Sequence, residues 1–309
     1  MHAQPFDVVG LGLNAMDTIC VVDSFPQPQS KARIKELHVE PGGQVATALA
    51  TCSRLGLKAR YIGSVGNDDA GRAQLASLRA ENVDVEYVRV VDGAQTQMAM
   101  IVLVEGVGER TILWRRDPQL NFPAVAVPSE VILSAQLLHL DGCDSEAAVK
   151  AARLARSAAI PVVADIDEMY GPETEELFKR TDYVIVPEEF AVQLTGQQKP
   201  EEAARTLMTR YRCPVVGITL GVRGAVFCDH GEISASPAFK VPVADTTGAG
   251  DVFHGAFIYG VLRSWSLPRI IRFAHATAAI KCTQIGARRG IPSLQQVETF
   301  LDQGAIPHE

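Results

Sequence analysis

Three things are scarce in this sequence of 309 residues, and each scarcity narrows what it can be. The cysteines Cys20, Cys52, Cys143, Cys213, Cys228 and Cys282 form no C-x-x-C pair and stand mostly among apolar neighbours. That fits reduced core thiols rather than a zinc site or a disulfide framework. Positive charge is not in excess: 29 Lys and Arg against 36 Asp and Glu leave a formal charge of −7, with no Lys/Arg stripe. A general nucleic-acid-binding surface is therefore not expected. No run reaches the roughly 18 apolar residues of a membrane span. The stretch MHAQPFDVVGLGL offers neither a basic leader nor a long apolar segment of the kind secretory signals carry. We expect a cytoplasmic protein with no nucleic-acid or membrane partner.

What is present is the composition of an ordinary globular protein, 47 % apolar and 21 % charged. Strand-length apolar runs alternate with longer helical patterns, in turn FDVVGLG, GQVATALATCSRLG, ARYIGSVG and AGRAQLASLRAEN. Further strands are expected at 137–140, 161–165, 183–186 and 214–220, with helices at 145–157, 172–181, 200–211, 249–263 and 268–284. GAVFCDHGEISAS reads as a hairpin. Such alternation builds βαβ units on a mostly parallel sheet. Residues 18–39 and 95–115 depart from it, the second as two β runs around the turn EGVGE. With no helix to their neighbours, they predict a small β-sheet projecting from the body, a candidate lid formed by about 14–39 and 95–116. No repeat, low-complexity tract or linker divides the chain, so 1–309 reads as one domain.

VVGLGLNA matches the dinucleotide fingerprint G-x-G-x-x-A through Gly10, Gly12 and Ala15. That fingerprint must open a helix, whereas MDTICVVDSFPQP follows, β-branched and proline-rich, with no helix N-terminus to hold a pyrophosphate. The informative residues here are Asn14 and Asp17, polar side chains at the end of the first strand, where open α/β sheets bind ligands. Capping a turn is their other use.

The segment ADTTGAGDVFHGAF is the most chemically loaded. Its apolar, small and aromatic second half suggests a buried helix, whose N-terminus would present the amides of Gly248, Ala249 and Gly250 to an anion. Asp251, at the first helical turn, is either a helix-dipole partner or a base that takes a proton from an attacking hydroxyl beside a transferring phosphoryl group.

DTTGAGDVFHGAF resembles the C-terminal signature of the PfkB or ribokinase-like carbohydrate kinases, and PGGQVATALATCSRLGLKARYIGSVGNDDAG resembles the N-terminal one. The resemblance spans nearly the whole chain, β interruptions included. It implies a three-layer αβα sandwich with a mostly parallel central sheet and a small β lid. It also implies transfer of the γ-phosphoryl group of ATP to a sugar hydroxyl, with Mg2+ carried by the nucleotide and a monovalent cation such as K+ nearby. Asp251 matches the catalytic base, and Gly248, Ala249 and Gly250 the anion hole. Asn14, Asp17, Gly42 and Gly43 match sugar-binding positions; Thr47 stands where many members have asparagine, and Asp141 resembles a further sugar-side acid. TLGVRGA would meet the nucleotide through Thr219, Gly221 and Gly224, and HATAAIKCTQIGA would line the adenine pocket through His275, Ala279 and Cys282, unless these three pack in the core instead. The cation would be held by oxygens of Asp245 and Thr247 and by carbonyls of the 281–290 loop, including Gly286. The family's N-x-x-E magnesium motif is altered, with Glu188 and Ala191 at its two ends, so that Glu188 would act through water. Asp165 and Asp167 are expected at a strand end, as polar site groups or as helix caps.

Substrate identity rests on ILWRRD at the end of the second lid strand. Alternation puts Trp114 and Arg116 on one face and Arg115 on the other, so one arginine looks inward. An inward arginine favours an anionic substrate, and 2-keto-3-deoxygluconate kinases have a similar Tyr-x-Arg pattern; a solvated charge pair is the other reading. The C-terminal stretch is also similar to that of sulfofructose kinases, but WRR and DGCD do not reproduce a sulfonate pocket. The expectation is a sugar or sugar acid, with a nucleoside kinase or a catalytically weak kinase-fold binding protein as alternatives. The exposed face of the lid suggests a homodimer formed lid to lid.

Overall fold

The computed structural model describes residues 6–106, 108 and 110–303. Residues 1–5 of the N-terminal stretch, and Val107 and Glu109 of the EGVGE turn, lie outside the described residues. The strands are β1 (Phe6–Leu11), β2 (Ala15–Val22), β3 (Glu36–Gly42), β4 (Ala59–Gly66), β5 (Val88–Val91), β6 (Met98–Val104), β7 (Arg110–Arg115), β8 (Ala135–Leu140), β9 (Val162–Asp165), β10 (Tyr183–Pro187), β11 (Val215–Thr219), β12 (Ala225–Asp229) and β13 (Glu232–Ser236). The α-helices are α1 (Gln44–Arg54), α2 (Asp69–Ala80), α3 (Ser129–Leu133), α4 (Ser145–Ser157), α5 (Thr174–Phe178), α6 (Glu188–Thr195), α7 (Pro200–Tyr211), α8 (Ala249–Leu262), α9 (Leu267–Lys281) and α10 (Leu294–Asp302).

Nine strands form one sheet in the order β13-β12-β11-β10-β9-β8-β1-β4-β5. It is parallel from β11 to β5, with the β12–β13 hairpin antiparallel at its edge. Its strands read as continuous apolar runs because both faces are covered. Val9, Leu11, Leu138, Leu140, Val162 and Ala164 pack with α3 to α7, while Val8, Leu137, Val163, Ile185 and Val215 pack on the other side with α1, α2, α8, α9 and α10. The chain order reverses at β1, which pairs β4 on one side and β8 on the other. Leu11 is in register with both Ile62 and Leu140, so the three strand ends open side by side at the switch point, where ligands of such sheets bind.

Helix α8 is apolar on nearly all sides, and Val252 to Gly260 are buried, because α1 and α9 both pack on it. Gly255 lets α1 approach: a methyl there would lie 2.5 Å from the Ala48 carbonyl oxygen.

The two irregular stretches pair as a separate four-stranded sheet, β3-β2-β6-β7, and β3 runs on to Gly42 rather than stopping at 39. Its inner face carries Ile19, Val21, Ala99, Ile101 and Leu103, whereas Leu37, Val39, Met98, Met100 and Leu113 are exposed. Two helices are shorter than their apolar patterns suggest. α5 stops at Phe178, where the Thr181 hydroxyl donates 2.9 Å to the Leu177 carbonyl and takes an acceptor the helix would have continued through. α9 stops at Lys281, and the next carbonyl, that of Cys282, receives the amides of Ala244 and Asp245 at 2.8 and 3.2 Å. Among the described residues no helix is long and apolar enough to cross a membrane.

Candidate active site

The entry to α8 is a turn built of backbone. Gly248 caps the helix with φ of 75°, and a methyl there would lie 2.8 Å from Cα of Ala287, so glycine is needed both for the conformation and for seating the turn on loop 286–288. Gly250 instead faces open space. The amides of Gly248, Gly250 and Asp251 have no hydrogen-bond partner among the described residues, so they are open to an anion at the helix N-terminus. Ala249 departs from expectation: its amide donates 3.1 Å to the Thr246 carbonyl and closes the turn.

Asp251 is half-buried and lines a cavity of about 730 Å³. Burial and the neighbouring Asp167 push its pKa up to about 6, against the fields of Arg110, Lys281 and Arg288. A carboxylate so placed accepts a proton near neutral pH. The cavity also gathers Asp165 at the end of β9 and Asp167 after it, Thr219 at the end of β11, Asp17, Arg110 and Trp114 from the small sheet, and Gln97 and Arg116 at its strand ends. Arg110 Nη1 donates 2.5 Å to the Thr246 hydroxyl, which in turn donates 3.0 Å to the Gly108 carbonyl, so the small sheet touches the turn directly. Alternation from Trp114 would have put Arg110 on the inner face, but nothing in the sequence marked its partner. His254 Nδ1 lies 2.8 Å from the Gly250 carbonyl and 3.3 Å from an oxygen of Asp165. Burial lowers the His254 pKa to about 4, so a neutral imidazole donates here. Burial together with Asp251 and Asp167 raises Asp165 well above the usual carboxylate range.

On the expected sugar side, Asp17 is buried and lines the cavity, its pKa raised to about 7 by burial and by Asp251 and Asp245, against Arg288. A methyl on Gly42 would overlap this carboxylate. Gly43, which also lines the cavity, has φ of 93° and leaves no room for a side chain beside Asn14. Asn14 is buried, with its amide donating to the Tyr61 hydroxyl at 2.5 Å and the Ser64 carbonyl at 3.0 Å; its Oδ1 has no partner among the described residues. Asp141 is not free for a sugar. It is fully buried, and its carboxylate accepts the amides of Leu13 at 2.5 Å and Cys143 at 3.0 Å, pinning the loop that carries Asn14. Thr47 is likewise turned from the cavity. Its hydroxyl accepts 3.3 Å from Arg288 Nε, and the other nitrogens of this buried guanidinium bond the Gly42 carbonyl at 2.7 Å and Gln74 Oε1 and Ser77 Oγ at 3.2 Å. No motif pointed to Arg288 or Gln74.

The arginines separate as alternation requires. Arg115 lies on the outer face, exposed, 2.5 Å from Gln95 Oε1, and leaves the list of site candidates. Arg116 is inward, but Nη2 meets both oxygens of buried Asp144 at 2.9 and 3.0 Å, and Nη1 meets Gln97 at 3.1 Å. Its charge is balanced before any substrate enters.

On the expected nucleotide side, Thr219 lines the cavity; Gly221 faces open space, and Gly224, with φ of 94°, packs on the Ser236 carbonyl. Glu188 is paired through one carboxylate oxygen with Arg223 of the turn after β11. His275, Ala279 and Cys282 do not line the cavity. His275 turns into the core, edge-on to Phe253 with ring centroids 5.1 Å apart, and burial lowers its pKa to about 4. Ala279 is buried in the same core, and the carbonyl of buried Cys282 is held by Ala244 and Asp245.

The expected cation position is changed as well. Asp245 is fully buried, with one carboxylate oxygen accepting 2.8 Å from the Thr247 amide and the other 2.9 Å from the Gly286 amide. Its carbonyl accepts 2.9 Å from Nζ of Lys281. The Thr247 hydroxyl is buried without a partner among the described residues. The oxygens of Asp245 that a bare ion would need are thus engaged by amides and by an ammonium, which already sets a positive charge at this position. Among the described residues, no three His, Cys, Asp or Glu side chains form a metal-holding cluster.

Open amides at a helix entry, a carboxylate with a raised pKa in the first turn, and hydrogen-bond acceptors across one cleft fit a phosphotransferase acting on alcohol groups. Residues 6–294 match the pfkB family carbohydrate kinase. The chain is 29 % identical over 320 residues to fructokinase-1 of Zea mays, covering 96 % of this chain and 98 % of that one. It is 27 % identical over 303 residues to a ribokinase of Haemophilus influenzae, covering 94 % and 97 %. An Arabidopsis thaliana ribokinase complexed with ribose and ATP shares the fold with a TM-score of 0.81 at 24 % identity, covering 96 % and 99 %. The chain belongs to the pfkB family of carbohydrate kinases.

Proposed function

We propose that this carbohydrate kinase moves the γ-phosphoryl group of ATP to a hydroxyl of a neutral sugar. The observation that carries the reaction is Asp251 beside the open amides of Gly248 and Gly250. Asp251 takes the proton of the attacking hydroxyl while these amides hold the equatorial oxygens of the transferring group. Magnesium arrives with the nucleotide as part of the substrate, and Thr219 with the turn at 221–224 receives it. Asp17, the Asn14 Oδ1 and the Gly43 backbone bind sugar hydroxyls, an acceptor-rich set that suits hydroxyl donors. The small sheet acts as a lid that excludes water during transfer.

The neutrality of the substrate follows from Arg116. An anionic group would have to compete with Asp144 for that guanidinium, in a wall already lined by Asp17, Asp165 and Asp167. The exposed apolar face at Leu37, Val39, Met100 and Leu113 supports a homodimer formed lid to lid, and buried reduced thiols support a cytoplasmic setting.

The test is a panel of neutral ketoses and aldoses, sugar acids, sulfonated sugars and nucleosides, with ADP release and phosphorylated product both measured. The expected ranking by kcat/KM puts a neutral sugar first. A sugar acid, sulfonate or nucleoside in first place overturns the substrate assignment, and no product from any of them overturns the kinase reading.

A further inference from the structure

We propose that the Lys281 ammonium is the resident cation of the phosphate-binding turn, occupying the place of a monovalent metal ion and making the enzyme independent of potassium; this rests on the kinase reading above. Lys281 is the last residue of α9 and is fully buried, a rare position for lysine unless its charge is answered. It is answered on the spot. Nζ lies 2.9 Å from the Asp245 carbonyl, at the start of the turn that runs to Asp251. Burial, the largest influence, draws the Lys281 pKa below the ordinary lysine value, against the fields of Asp245 and Asp251.

The same contacts engage the oxygens of Asp245 that a second cation would have to share. The carboxylate of Asp245 is taken by the Thr247 and Gly286 amides, and the Cys282 carbonyl by the Ala244 and Asp245 amides. Of the side-chain oxygens in this turn, the Thr247 hydroxyl lacks a partner among the described residues, and one such oxygen is not a coordination sphere. A metal ion added beside the ammonium would meet like charge at low dielectric. An ammonium fixed by four methylenes supplies what the turn requires, a positive charge behind amides that receive an anion. It is a positioning residue, because it reaches the reaction through the turn rather than by touching substrate.

The experiment compares potassium, ammonium, sodium and choline chlorides at equal ionic strength, reading both phosphoryl transfer and Tm, for the wild type, Lys281→Ala and Lys281→Met. For the wild type, we expect rates within about twofold across the salts, and a Tm that potassium does not raise beyond choline. Lys281→Ala opens room for an ion: it should lose on the order of tenfold or more in choline, and recover rate and Tm in potassium or ammonium. Lys281→Met fills the room without charge, so it should lose rate without rescue. Potassium that activates or stabilises the wild type overturns the proposal. So does Lys281→Met with wild-type turnover. If no sugar is phosphorylated in any salt, the kinase reading fails, and the Tm comparison still decides whether the wild type takes up potassium. Should Lys281→Ala fail to fold, the wild type and Lys281→Met carry the same decision.

Discussion

The turn at 244–251 and the wall formed by Gln97, Trp114 and Arg116 meet in one cavity but are made of different material. The turn works with backbone: glycine amides, carbonyls and one loop seated against another. The wall works with side chains paired across the sequence, such as Arg116 with Asp144 and Gln97. Backbone chemistry demands particular residues at fixed spacing, so it leaves a motif. Side-chain pairing demands only that two distant residues find each other. The reaction is therefore written in the first region and the choice of substrate in the second.

The largest expected effect breaks the first region alone. Asp251→Asn should lower kcat by about 10²–10⁴-fold while leaving sugar and ATP able to raise Tm. Near-normal turnover in that variant would remove Asp251 from its role as base. Gly42→Ala tests the second region: the new methyl displaces the Asp17 carboxylate, and sugar KM should rise on the order of tenfold to a hundredfold with a smaller change in kcat. If kcat falls alone, the two regions are not separable as described.

A pH profile sharpens the comparison with the smallest change. The Asp251 base acts as carboxylate, and its pKa is raised to about 6, so kcat/KM should climb as pH rises to about 6 and then level off. Stability should run the other way. Asp17 and Asp141 are raised to about 7, so the folded chain binds protons more tightly than the unfolded one, and Tm should fall as pH rises from about 4 to 7. Asp17→Asn should flatten part of that slope, and an unchanged slope would mean Asp17 titrates normally.

How far the sequence could be read follows the same division. The βα alternation located the strands of the large sheet except the short edge strand β5, and the missing helices located the small one, because burial on two faces or one leaves its period in the chain. The turn residues were legible for the reason given above. His275 and Ala279 stayed undecided between pocket and core because a helix that lines a pocket and one that packs in a core have the same apolar spacing; the contact with Phe253 favours the core. Asp141 looked like a ligand for sugar because a strand-end carboxylate is equally able to cap its own loop. Arg110, Lys281 and Arg288 were invisible, since a lone basic residue carries no signal until the distant groups it meets, Thr246, Asp245 and Gly42, are known.

The Arg110 contact ties the proposed base to the position of a strand. Arg110 sits on β7 of the proposed lid, bonds the Thr246 hydroxyl and lowers the pKa of Asp251, while burial, the largest influence, raises it. A swing of that strand would withdraw the charge and admit water at once, and the two changes push Asp251 in opposite directions. The proton affinity of the cleft is therefore a balance that opening disturbs from both sides.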